Sequence, residues 1–437
     1  MTSLLPDGPG PSTTGGDVAT DVDLRLRAGT EVRDLLARVA ADPRAGDDDA
    51  RADALFARVA WSRLAEPGDG VAGEVLAALG PRRALHLLVT GAGPAALAQE
   101  AARAGASLPA RRARAALERW MPRLDRAETI GDLDRAAAAG LQLLTPDCDR
   151  WPTQLADLGH HAPILLWVRG APELLGTPAL SVVGARAATA YGTQVTAELV
   201  DHVSAHALTI VSGAAYGVDA VAHRTALAAE RPTVAVLAGG ADRSYPEGHR
   251  DLIDRIARDG AVCGEMAPGS APTRWRFLMR NRLIAALSLG TLVTEAGVRS
   301  GSLNTAGHAV ELGRELGAVP GPITSAASAG CHTLIRDYQA RLITSAADAL
   351  ELAGVADASL GAAEAAGAAG ERLPSMQARV LDALPLRGGR DLAEIARRAG
   401  LSVDDARRTL AELELLRQTT RRDSGAGSPI WALVRRQ

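Results

Sequence analysis

The chain has 437 residues, enough for two or three domains, and its 3% aromatic content leaves Ala, Val, Leu and Ile to build the core. Every one of the 48 basic residues is Arg and the formal net charge is −3, so any anion-binding surface must be local rather than global. The lack of Lys excludes a standard P-loop nucleotide site, Schiff-base chemistry and a lysyl nucleophile.

Residues 1–25 are polar and rich in Gly, Pro and Thr, and read as a disordered tail without the apolar core of a signal peptide. No apolar run is long enough to cross a bilayer. Cys148, Cys263 and Cys331 lack the spacing of a metal site or a disulfide framework, and the nine His residues form no HExxH or paired set. The expectation is a cytoplasmic protein without metal or cofactor.

Residues 26–145 form an Ala/Arg-rich region with Leu at helical spacing, as in Val71–Leu79, Pro81–Leu88, Ala95–Ala104 and Arg111–Trp120. The turn Gly91-Ala92-Gly93-Pro94 separates two of these helices. A helix-hairpin-helix-like or sterile-alpha-motif-like module and a plain helical bundle both fit.

From 146 to 353 short β-branched runs alternate with amphipathic runs. The expected strands are Leu180–Val183, Leu208–Val211, Thr233–Leu237, Ala261–Gly264, Thr291–Thr294 and Leu316–Val319, with a further short one at Arg341–Ile343. Helices are expected to begin near Tyr191, Val218, Glu247, Phe277, Ser302 and Cys331. Strict alternation implies an α/β fold: a Rossmann-like, doubly wound, mostly parallel sheet.

Residues 354–372 are Ala/Gly-rich and read as a linker. Residues 373–437 contain helical patterns at Ser375–Leu384, Leu392–Ala399 and Val403–Leu416, then an Arg-rich hairpin. Three helices and a hairpin read as a winged-helix-like domain. From Pro374 it holds twelve Arg and eight acidic residues, a net +4.

Ligands of open α/β sheets bind beyond the carboxyl ends of the strands. Those ends carry Gly184-Ala185-Arg186, Ser212-Gly213-Ala214-Ala215-Tyr216-Gly217, Gly239-Gly240 with Tyr245-Pro246, and Glu295-Ala296 with Ser300-Gly301-Ser302. Gly or Ser at a helix start lets backbone N–H groups approach an anion, and phosphate is the natural candidate. Tight βα turns alone would explain any one of these glycines; several edges together, with Arg186 projecting from the first, favour binding. The segment Thr273–Arg282 holds four Arg, two aromatics and no acid, a composition suited to phosphates and unpaired bases. In it Phe277 and Leu278 read as core, whereas Arg280 and Arg282 need a reason outside the fold. Tyr216, Tyr245 and Trp275 are the candidate stacking side chains. A dinucleotide site is disfavoured because the first edge is not GxGxxG. His223, His249 and His308 have no GxSxG partner, and Asp219 reads as a helix N-terminal residue, so no catalytic residue is assigned.

These motifs, in order over about 150–345, resemble the DprA/Smf family. Val183-Gly184-Ala185-Arg186 resembles its VGSR element, and Ser212 to Asp219 its SGxAxGID. Arg280-Asn281-Arg282-Leu283-Ile284-Ala285 resembles RNRIIAGLS, and Glu295 to Ala306 resembles EAxxxSGSLITA. The resemblance implies a single-stranded-DNA-binding protein rather than an enzyme, with a basic groove at the strand ends. It further implies a homodimer that loads RecA recombinase on incoming DNA in natural transformation, with single-strand-binding protein as another partner. Carried over by motif, Gly184, Arg186, Ser212, Gly213 and Gly217 line the groove. Arg280, Asn281 and Arg282 hold phosphate or the shape of the pocket, and Leu334-Ile335 lie near the dimer contact. Gly239, Gly240, Tyr216, Tyr245, Ser300, Gly301 and Ser302 complete the expected DNA-binding set. Ala185 stands where Ser is usual, and Tyr216 where many members carry a basic residue.

Two other functions remain open. Nucleotide phosphoribohydrolases share the superfamily and use Glu and Arg, which puts Glu295 forward, although their PGGxGT loop is absent. A duplex-binding regulator could use the C-terminal domain. Its third helix mixes Arg407 and Arg408 with Asp404, Asp405, Glu412 and Glu414, which favours an interaction module over a DNA reader.

Overall fold

Among the described residues, Asp side chains start three of the six front helices by accepting hydrogen bonds from free N–H groups. The helices are α1 (Thr30–Val39), α2 (Asp49–Leu64), α3 (Gly70–Val89), α4 (Pro94–Arg103), α5 (Ala110–Trp120) and α6 (Arg126–Ala138). Asp48, Asp69 and Asp125 cap α2, α3 and α6. Helix α3 breaks in its middle, where Gly80 takes φ +73° and Pro81 follows, so the two helical patterns of the sequence meet at a kink. The structure is a computed structural model that describes residues 27–42, 48–355, 375–385, 388–416, 418–423 and 429–434. The tail expected at 1–25 and nearly all of the linker expected at 354–372 fall outside those residues.

The second layer is a nine-stranded sheet. Its strands are β1 (Gln142–Leu144), β2 (Leu166–Gly170), β3 (Ala179–Val183), β4 (Thr209–Ser212), β5 (Thr233–Gly240), β6 (Ala261–Met266), β7 (Gly290–Val293), β8 (Glu315–Ala318) and β9 (Arg341–Leu342). The order is β1-β2-β6-β5-β4-β3-β7-β8-β9. All pairs from β6 to β9 are parallel, whereas β2 runs antiparallel to both β1 and β6. Helices α7 (Ala190–Ser204), α8 (Val218–Ala228), α9 (Arg250–Asp259), α10 (Arg274–Ala286), α11 (Ser302–Glu311), α12 (Ala329–Asp337) and α13 (Ala346–Glu351) follow the strands.

The doubly wound sheet and all seven expected strands are present. The two antiparallel strands are additions, and β1 places the start of the sheet inside the region read as wholly helical. A three-residue strand is too short to show alternation. The described residues up to 355 form one compact unit and those from 375 onward a second. Within the first, Trp61 meets Trp120 edge to face at 5.0 Å in the core of the front helices. A separate cluster joins Leu36, Phe56 and Leu133 to Leu143, Leu165 and Trp167 at the sheet edge.

The second unit contains α14 (Ser375–Ala383), β10 (Arg390–Asp391), α15 (Leu392–Ala399), α16 (Val403–Leu415), β11 (Thr419–Asp423) and β12 (Pro429–Leu433). Gly400 supplies the left-handed residue that ends α15. Val380, Ile395, Leu410, Leu413 and Trp431 fill the core, and the strands pair in the order β10-β12-β11, the arrangement of a winged helix. No helix among the described residues is long and apolar enough to cross a membrane.

Candidate nucleic-acid interface

Strand order reverses between β3 and β7, because the chain winds from β3 through β4 and β5 to β6 in one direction and then returns to add β7 and β8 on the other side. The crevice of such a sheet opens at that reversal. Its floor is formed by close backbone contacts. Ala185 N–H donates to the Glu295 carbonyl at 2.7 Å, and Val218 N–H donates to the Ala185 carbonyl at 3.1 Å. A Cβ on Gly184 would lie 2.6 Å from Val218 Cγ2 and 2.7 Å from Glu295 O. Gly217 has φ +76°, and a Cβ there would overlap the Ala185 carbonyl. The glycines of these two turns are therefore set by turn-to-turn packing, and this packing fixes where Arg186 emerges.

Glu295 is buried and its carboxylate holds the start of α7. Thr189 N–H donates to Oε2 at 2.8 Å and Thr189 Oγ1 to Oε1 at 2.7 Å. Both oxygens are thus committed to a structural task.

Beneath the β4 and β5 edges Asp219 and Arg280 are both buried and influence each other electrostatically. Asp219, in the first turn of α8, accepts from Gly213 N–H at 3.1 Å and Ala215 N–H at 3.4 Å. Burial pushes its carboxyl above the usual range, opposed by the nearby Arg280 cation. Arg280 donates from Nη1 to the Val236 carbonyl at 2.7 Å. Burial lowers its guanidinium to about 10, opposed by Asp219 and assisted by Arg186, so it remains a cation at neutral pH. Arg282 is held by Glu265 through two bonds of 2.8 and 3.0 Å and donates to the His161 carbonyl at 2.9 Å. The expectation that Arg282 needs a reason outside the fold is therefore corrected, since it is buried and finds its partners within it; Arg280 is buried too and its Nη1 is satisfied, but its Nε has no hydrogen-bond partner among the described residues. Asn281 spans to Asn304 Oδ1 at 3.1 Å and ties α10 to α11.

The expected site residues separate by exposure. Ser212, Gly213, Gly239, Gly240, Arg280, Asn281, Arg282 and Ser302 are buried; Gly184, Gly217 and Ser300 are half-buried; Arg186, Tyr216, Tyr245 and Gly301 are exposed. Ser212 donates to the Val182 carbonyl at 2.6 Å, so it braces adjacent strands. Gly240 N–H donates to Ser270 O at 3.0 Å and seats the turn after β6.

What faces outward is an aromatic and cationic surface centred on Phe277. The Arg186 guanidinium lies 5.2 Å from the Phe277 ring centre, Arg280 lies 5.8 Å from it, and Tyr245 packs on it at 5.5 Å. Tyr216 meets His249 at 4.5 Å, and His249 Nδ1 is 3.0 Å from the Ala214 carbonyl. Trp275 is 57% exposed. Arg186 and Arg274 are exposed and form no ion pair among the described residues. The expectation that Phe277 and Leu278 are core is also corrected: Phe277 is half-buried and Leu278 is exposed, because core packing on α10 begins only at Arg280. Phe277 is the residue that sequence reasoning missed, and its place within an acid-free Arg segment was the available signal. Leu334, expected near a dimer contact, lies in the sheet core with Ile335 packed against it. No group of three or more His, Cys, Asp and Glu among the described residues could hold a metal.

The family model for DNA recombination-mediator protein A matches residues 142–354. The putative DNA processing protein DprA of Mycobacterium tuberculosis is 45% identical over 304 residues, 67% of this chain and 77% of that one. Protein Smf of Escherichia coli is 38% identical over 210 residues, 48% of this chain and 56% of that protein. The X-ray structure of DprA from Streptococcus pneumoniae superposes with a TM-score of 0.55 at 30% identity, covering 67% of this chain and 95% of that one.

Proposed function

The chain belongs to the DprA/Smf family of DNA recombination mediators, and from that premise we propose that it acts in DNA processing by binding single-stranded DNA across the carboxyl ends of β3, β4 and β5. One observation carries the reading: an unpaired, exposed Arg186 stacked on Phe277, with Tyr245 on the same ring. A guanidinium fixed on an aromatic platform suits a backbone phosphate, and adjacent aromatic faces suit unpaired bases of any sequence. Buried Asp219 on the Gly213 and Ala215 amides, buried Arg280 on the Val236 carbonyl and the turn glycines hold that surface in shape. The strand is then passed to a RecA-type recombinase in homologous recombination or transformation, with displacement of single-strand-binding protein and a homodimer as parts of the same proposal.

The mechanism is positioning and electrostatics without a covalent step. Commitment of both Glu295 oxygens to Thr189 speaks against the phosphoribohydrolase alternative. Pairing of Arg407 with Asp404 and of Arg408 with Asp405 on α16 speaks against duplex reading by the winged helix. Fluorescence anisotropy of labelled oligo-dT and a matched duplex, at two salt concentrations, tests the proposal. Oligo-dT should bind more tightly than duplex, and Arg186→Ala should weaken it about tenfold while lowering the salt slope by about 0.7 for the one lost phosphate contact. Equal or better binding to duplex, or an unchanged affinity in the variant, overturns the reading.

A further inference from the structure

Helix α10 has two working faces. Phe277, Arg280 and Asn281 face the strand-end surface, whereas Arg276, Met279 and Arg282 meet the helical front. None of the residues from Arg274 to Met279 is buried, so the sheet core does not hold the two turns that carry Phe277. Three local contacts serve these turns: the Thr273 cap, with Arg276 N–H on Thr273 Oγ1 at 3.2 Å, Arg276 Nη1 on the Ala271 carbonyl at 2.8 Å, and Tyr245 on the Phe277 ring; the side-chain hold from the helical front comes from Glu66. This residue lies 210 positions away, in the segment between α2 and α3. Its carboxylate takes Arg276 with both oxygens, from Nε at 2.9 Å and Nη2 at 2.8 Å, and takes Arg123 at 2.8 Å. These two guanidinium groups keep the Glu66 carboxyl below its ordinary range against the opposing effect of burial.

A second contact supports the first. Gly68, at φ +71°, lies so close to α10 that a Cβ there would overlap Met279 Cε, and its carbonyl is 2.8 Å from His161 Nδ1. Beside the fork is a cleft of about 480 Å³ bordered by Arg63, Arg123, Met266, Ser270 and Arg276. At this end the front and α10 are therefore joined by ion pairs beside an open cleft, unlike the apolar contact at the β1–β2 edge.

We infer that Glu66 is a positioning residue for the strand-end surface: through Arg276 it fixes the first turns of α10, and with them the Phe277 platform under Arg186. The inference rests on the proposed reading of that surface. Bidentate pairing supplies the directional hold that a single Coulombic contact lacks. The helical front thereby contributes to nucleic-acid binding without touching the strand.

Glu66→Gln and Arg276→Gln in the full-length protein test this by two readouts. Hydrogen exchange of the amides at 277–280 should speed up in both variants while the melting temperature shows a folded protein. Oligo-dT affinity should fall about fivefold, and Glu66→Gln should add nothing once Phe277→Ala is present, because both act through one platform. Unchanged exchange in both variants, or an affinity loss that adds fully to that of Phe277→Ala, overturns the inference; if one variant does not fold, the other decides. If the unaltered protein does not bind oligo-dT, the functional reading fails, and the exchange measurement still decides whether Glu66 holds α10.

Discussion

Arg280 Nη1 occupies the space that a Cβ on Gly213 would need, and the same nitrogen donates to the Val236 carbonyl at 2.7 Å. The end of an Arg side chain is ordinarily free to swing aside. Here it is enclosed, lies within the electrostatic reach of Asp219 and is fixed to a strand carbonyl.

Gly213→Ala should therefore destabilise the protein by about 3 kcal/mol, the scale of disturbing a buried charge and its partner. Urea unfolding of the variant checks this. A loss below about 0.5 kcal/mol would mean that Arg280 can relocate and is not the fixed support described.

Phe277→Ala should cost about 1–3 kcal/mol in oligo-dT binding, the usual scale for a lost base-stacking aromatic. Arg186 loses its platform in the same step but keeps its charge. The salt dependence of binding should accordingly change less than in Arg186→Ala, and anisotropy at two salt concentrations separates the two variants.

His223 is buried against β5, with Nδ1 2.8 Å from Thr233 Oγ1. The Thr233 hydroxyl donates onward to the Ile210 carbonyl at 2.7 Å, so it accepts from His223 and the ring is protonated on Nδ1. Nε2 is buried and has no partner, so a second proton would have no acceptor. Burial, with lesser repulsion from His249 and Arg280, lowers the folded-state pKa from 6.5 to about 3. The unfolded chain then binds more protons between those values. This contribution to stability is present above pH 6.5 and is lost on acidification at about 1.4 kcal/mol per pH unit. The stability of His223→Met should lack this part of the slope, as urea titrations at pH 7.5 and pH 5 will show.

Arg407→Ala with Arg408→Ala should leave binding to both oligo-dT and duplex within about twofold of the unaltered protein. Each guanidinium is matched by an Asp three residues earlier, and pairing of exposed charges of this kind contributes little energy and leaves no net field for phosphates. A large loss of duplex affinity, read by anisotropy, would return the winged helix to the DNA-binding surface.

Local chemistry was legible wherever the fold obeys local rules. The seven parallel strands showed as short β-branched runs, the kinked helix as two separate helical patterns at Val71–Leu79 and Pro81–Leu88, and the winged helix as three amphipathic segments closed by a hairpin. The two antiparallel strands did not show, because Gln142–Leu144 and Leu166–Gly170 owe their conformation to each other and to β6 rather than to a pattern of their own. Within the site, Arg186 and the turn glycines could be identified because a βα turn fixes their place at the strand ends.

The sequence by itself determined the doubly wound architecture, the motifs at the strand ends and the restriction of every cation in the surface to Arg or His. Only the tertiary structure decided which of those cations face solvent. Arg280 and Arg282 belong to the same short segment as Arg274 and Arg276, and helical periodicity alone cannot distinguish a guanidinium paired with a buried carboxylate from one left open to a ligand. The partners that decide it, Asp219, Glu265 and Glu66, come from other elements. Coulombic pairing depends on distance in space, and that distance exists only once the sheet and the helical front have packed.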